Sequence, residues 1–214
     1  MKIIDLTHFI SPDMPVYPGT EGPKFQPANS YEKDGFKETL LTMYTHTGTH
    51  MDPPAHLFPG RTTLDQFPVS QFVGSAAVID CSDLKEGQLI TMDYLQRQRE
   101  LADKAEFLLF STGWEKYWGT QTYFGDYPCV SGEVLDYVIS HGKKGIGLDT
   151  IGLDPVADVN LTRHKKLFQQ AEAVVIENLV NLHLLPSGLF TFCALPLKHI
   201  DADGSPIRAI AMLE

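Results

Sequence analysis

Short apolar runs rich in β-branched residues recur along the chain at 2–7, 39–45, 76–80, 106–112, 145–149, 173–176, 189–194 and 207–213. Runs this short and this continuous predict strands covered on both faces. Between some of them the period lengthens to that of a helix. Thr91 is placed to cap a helix running to Lys104. Ser131 is placed to cap a second helix, with Val134, Leu135, Val138 and Ile139 on one side and a stop at His141-Gly142. A third helix is expected over 161–170, leading directly into the run at 173–176. The alternation is that of an α/β protein, with more strand than helix in its first half. Two Pro- and Gly-bearing stretches, 11–23 and 53–68, read as long ordered loops, where binding sites tend to lie.

The chain has 214 residues, 43% hydrophobic and 21% charged. These are globular proportions, and the length suits one domain over 1–214. Seventeen basic against 27 acidic side chains give a net charge of −10, the wrong sign for a phosphate backbone, so no nucleic-acid partner is expected. No apolar run approaches a membrane span, and the first residues do not read as a signal peptide. Three widely spaced cysteines cannot form a closed disulfide framework, which points to a reduced, cytoplasmic setting.

Candidate chemistry concentrates in Thr45-His46-Thr47-Gly48-Thr49-His50-Met51-Asp52-Pro53-Pro54-Ala55-His56, where three of the eight histidines and an aspartate fall within eleven residues. Imidazole and carboxylate are the donors that zinc and similar divalent ions accept. A straight strand would hold His46 and His50 roughly 13 Å apart at ~3.3 Å per residue. Gly48 and the paired prolines argue against a helix. A bend at Gly48 that swings His50 toward His46 is the remaining geometry, with His50 and Asp52 on one side of a short extended piece. The alternative is a polar loop whose histidines cap backbone groups. Further donors would come from among His164, Glu172, Glu177, His183 and His199. Glu177 ends the run Ala173–Ile176, where a carboxylate is costly unless paired or bound to a cation. His164, flanked by Arg163, Lys165 and Lys166, reads more simply as part of a solvated helix face.

His46-x-Gly48-Thr49-His50-x-Asp52-x-Pro54-x-His56 resembles the signature of the metal-dependent cyclase-like hydrolases, the family of bacterial kynurenine formamidases and isatin hydrolases. The resemblance extends to Met14-Pro15-Val16-Tyr17-Pro18-Gly19, Thr112-Gly113-Trp114, Gly147-Leu148-Asp149-Thr150, Asp154-Pro155, His164 and Ile176-Glu177-Asn178-Leu179. It implies a swivelling β/β/α fold with a mixed central sheet and a dimer or higher oligomer. It assigns His46 and His50 to a first metal, Asp52 to a bridge, His164 to a second metal, Glu177 to both, and His56 to proton transfer. Tyr17 stands where the family usually carries a substrate-contacting Trp, and Cys129 where it often carries Gly. The implied reaction is hydrolysis of a small aromatic amide, such as N-formylkynurenine, with Zn²⁺ or Mn²⁺, one or two ions per subunit. A cyclic amide of the isatin type is the alternative, and after it a cyclase using the metal as Lewis acid. Cys129 beside a helix start has two readings, a reactive thiolate or a small buried filler.

Overall fold

A computed structural model describes residues 1–213. In chain order its elements are β1 (Lys2–Asp5), β2 (Lys24–Asn29), α1 (Tyr31–Asp34), β3 (Glu38–Thr42), β4 (His50–Asp52), β5 (Val73–Asp80) and β6 (Leu89–Ile90). There follow α2 (Met92–Arg97), α3 (Arg99–Lys104), β7 (Phe107–Ser111), β8 (Cys129–Val130), α4 (Gly132–Ser140) and β9 (Gly145–Leu148). The chain ends with α5 (Thr162–Gln170), β10 (Val174–Glu177), β11 (Phe190–Pro196) and β12 (Ser205–Leu213).

Eight strands form one sheet in the order β1-β12-β11-β5-β7-β9-β10-β4, and β4 also pairs with the start of β12, so the sheet closes on itself. β5, β7, β9 and β10 are parallel; the remaining pairings are antiparallel. This is the mixed central sheet of the expected α/β fold. Strand period 2 sorts the side chains. Phe107, Leu109, Val174, Ile176 and Met51 turn inward with Phe192 and Ala209. Leu108, Phe110, Ile146, Leu148 and Val175 turn outward against Leu95 and Ala102 of α2 and α3, Leu135 and Val138 of α4, and Leu167 and Phe168 of α5. Both faces of the parallel strands are therefore covered, as their continuous apolar runs require.

Ser131 caps α4 by accepting from the Val134 amide, and Gly142 follows its end at φ 57°. Three expectations are corrected. The helix from Thr91 breaks at Gln98 (φ −129°, ψ 31°) into the two short helices α2 and α3. The run at 39–45 is not a covered strand: β3 pairs only with β2, in a two-stranded ribbon with Leu40 54% and Leu41 43% exposed. Thr91 precedes α2 without making a side-chain cap hydrogen bond. Among the described residues no helix is long and apolar enough to cross a membrane.

Candidate metal centre

The chain bends where the sequence requires it. Gly48 adopts φ 65°, a conformation costly for residues with a Cβ, and β4 begins two residues later. β4 runs antiparallel to β10, with His50 opposite Glu177 and Asp52 opposite Val175. His50, Asp52 and Glu177 thus share the outward face, while Met51 and Ile176 between them fill the inner core. α5 packs over this face and delivers His164, which is buried despite its charged neighbours.

His50 Nε2 lies 3.3 Å from Asp52 Oδ1 and 3.4 Å from Glu177 Oε2. On the other side, His164 Nε2 lies 3.4 Å from Asp52 Oδ2 and 3.2 Å from Glu177 Oε1. Each carboxylate is thus straddled by two imidazoles. His46 approaches Asp52 from beyond, Nδ1 to Oδ1 at 2.7 Å, and its ring lies 4.0 Å between centroids from that of His56. Two groups of donor atoms are compact enough to hold an ion, His50–Asp52–Glu177 and His46–Asp52–His56, with Asp52 common to both. The expected five donors and His56 are therefore together; His46 and His50 both approach Asp52 Oδ1, and His56 lies beside His46. Tyr17 also reaches this cavity, whereas Glu172 pairs with Arg61 and His183 with Glu115.

Burial opposes charge on His50, yet Asp52 and Glu177 outweigh it and lift the imidazole to about 9. His164 is raised likewise against burial, first by Asp154. Burial would raise Asp52, but His46, His50 and His164 hold it well below the usual carboxylate range. For His56 burial prevails, and its pKa is lowered from 6.5. Cys129 is buried and its thiol pushed up to about 12, so it fills space and is no thiolate.

Two residues orient the donors from behind. Asp154 accepts from the amides of Arg163 (2.6 Å) and His164 (3.0 Å), closing the first turn of α5, whose N-cap Leu161 has no capping side chain. The same carboxylate takes His164 Nδ1 at 2.7 Å and leaves Nε2 facing the centre. At the other flank Gly204 leaves room for His46, since a Cβ there would lie 2.5 Å from Cε1 of the ring. Asp154 had a sequence signal in the Asp154-Pro155 pair; Gly204 had none beyond a turn-like Asp-Gly.

The residues fit a divalent cation. His164 Nε2 is buried without a hydrogen-bond partner and is aimed between two carboxylates. An orphaned buried polar atom is costly unless something binds it, and imidazole with carboxylate is a transition-metal donor set. The centre forms one wall of a cavity of about 670 Å³. Val16, Tyr17, Tyr44, Ile151, Val159 and Leu161 supply much of the remainder, an apolar and aromatic lining suited to a small organic ligand.

The family model described as "Putative cyclase" matches residues 4–155. The kynurenine formamidase of Bacillus thuringiensis (strain Al Hakam) is 31% identical over 97% of this chain and 95% of its own. Isatin hydrolase A from Ralstonia solanacearum superposes with a TM-score of 0.85 at 26% identity, covering 100% of this chain and 92% of that one. A solved structure described as a potential metal-dependent hydrolase with cyclase activity gives 0.74 at 27% identity, over 98% and 96% of the two chains.

Proposed function

The chain belongs to the cyclase family and is a metal-dependent hydrolase of carbon–nitrogen bonds other than peptide bonds; from that premise we propose that it deformylates N-formylkynurenine to kynurenine and formate. The observation that carries this reading is the meeting of two metal-donor groups and a low-pKa histidine in one wall of an aromatic-lined cavity. His46, His50, Asp52, His164 and Glu177 are the proposed ligands, for one or two ions. Zn²⁺ is the proposed ion and Mn²⁺ the alternative, as both accept imidazole and carboxylate.

When bound, the ion supplies Lewis acidity, polarising the carbonyl and making water acidic enough to lose a proton near neutral pH. His56 is neutral at pH 7 and accepts the proton of the attacking water. Hydroxide adds to the formyl carbon, the C–N bond breaks, and His56 passes the proton to the departing aniline nitrogen. Tyr17 stacks on the aryl ring; burial and the charges of Glu177 and Asp154 raise its pKa, so it stays an uncharged phenol. We place the enzyme in the cytoplasm, and its self-association, as a dimer or tetramer, on the β2–β3 ribbon.

Metal-stripped protein reloaded with Zn²⁺ or Mn²⁺ should release formate from N-formylkynurenine. Full metal loading without formate would overturn this substrate. Isatin ring opening is the second reading, favoured by the whole-chain likeness to isatin hydrolase A.

A further inference from the structure

Glu177 is followed by a residue that none of the proposed chemistry uses. Asn178 is buried and adopts φ 58°, a left-handed conformation that asparagine tolerates better than most residues. Its four polar groups are all engaged. The amide donates to Thr150 O at 2.9 Å, and the carbonyl accepts from Thr49 Oγ1 at 2.6 Å. Oδ1 accepts from the Tyr123 hydroxyl at 2.7 Å, and Nδ2 donates to Gly48 O at 2.8 Å. The last contact fixes the amide's orientation, because a carbonyl can only accept.

Gly48 O also accepts from His50 Nδ1, at 2.8 Å. A carbonyl has two lone pairs, and here both are filled, one by Asn178 and one by His50. That bond requires a proton on Nδ1, which leaves Nε2 as the ring atom directed at Asp52 and Glu177. The Gly48 peptide sits in the bend, and Asn178 is the side chain that ties it to the far side of the site. Tyr123, fully buried, in turn holds the amide.

We propose that Asn178 is a positioning residue of the metal centre: bridging Tyr123 Oη to Gly48 O, it holds the bend so that His50 presents Nε2 to Asp52 and Glu177. The inference rests on the ligand assignment above but not on the substrate. Outer partners of this kind set metal affinity by orienting ligands they do not replace.

The test is Zn²⁺ affinity, read by competition with a chromophoric chelator, alongside the melting temperature of each metal-free variant. Asn178→Gly keeps the left-handed backbone and removes the bridge, leaving the Tyr123 hydroxyl unpaired; it should weaken Zn²⁺ binding about 10- to 100-fold. Tyr123→Phe should give a smaller loss in the same direction. Leu135→Ala, which removes core apolar surface of α4 and none of the hydrogen bonds of the centre, should lower the melting temperature and leave affinity unchanged, separating positioning from general destabilisation. Unchanged affinity in Asn178→Gly, with binding lost in His50→Ala, would overturn the role of Asn178. Unchanged affinity in His50→Ala would overturn it too, together with the ligand assignment, whereas inactivity toward N-formylkynurenine would bear only on the substrate.

Discussion

His50 and His56 carry the same ring, yet their surroundings give them opposite proton chemistry. Two carboxylates hold His50 up at about 9, while burial among His46 and His164 keeps His56 below 6.5. His56→Ala should lower kcat by about 10²–10⁴-fold with metal content intact. A depressed pKa delays protonation, so the parent's kcat should fall only as pH drops below 6.5, and the variant should lack that limb. A pH–rate profile with elemental analysis checks both; metal loss in the variant would make His56 a ligand, as its grouping with His46 and Asp52 allows. Gly204 acts on the same centre by shape alone. Its φ is outside the left-handed region, so Gly204→Ala leaves the backbone permitted and tests only the 2.5 Å contact with His46. The ring must move, and metal content should fall by elemental analysis while the circular dichroism of the fold is retained.

At the scale of elements, strand periodicity explains why ligands and core residues can alternate on β4 and β10. Inverting either strand's parity would place Met51 or Ile176 in the site and the carboxylates in the core. Helix ends show a similar economy, with long-range partners replacing local caps. Asp154 closes the start of α5. Buried Lys143 closes the end of α3, its Nζ donating to the carbonyls of Ala102 (2.6 Å), Asp103 (3.0 Å) and Ala105 (2.6 Å). Lys143→Met strands those carbonyls and should cost about 2–3 kcal/mol. Thermal unfolding should show a melting temperature lower by roughly 5–10 °C; an unchanged value would mean that water replaces the amine.

Across the whole molecule, the closed sheet leaves one apolar element uncovered. Adjacent residues of a strand point to opposite faces, so exposed Leu40 and Leu41 show that neither face of the β2–β3 ribbon packs on the body. Phe25, Tyr31 and Phe36 are exposed on the same segment. If a second copy covers it, as proposed, Leu41→Glu should shift the protein to monomer in sedimentation and leave its Zn²⁺ content unchanged. An unaltered oligomer would move the interface elsewhere. Sequence reading fails at this ribbon for a physical reason: an apolar run reports its own hydrophobicity, and whether the fold lays a second layer over it is decided by contacts far along the chain.

What the sequence determined by itself is local. It contains the bend at Gly48, the His50/Asp52 parity, the Ser131 cap and the continuous runs of the parallel strands, because each depends on residues a few positions apart. Glu177 carried a local signal, a carboxylate ending an apolar run, whereas His164 read as a solvated face and was legible only through resemblance, since nothing in either neighbourhood shows that α5 and β10 meet β4. Tertiary structure alone decided the nearness of the His46 and His56 rings, the cap supplied by Lys143, the room left by Gly204 and the bridge from Asn178 to Gly48. That bridge spans 130 residues, and hydrogen bonds across such separations leave no periodicity in the sequence, because chain closure, and not local preference, brings their partners together.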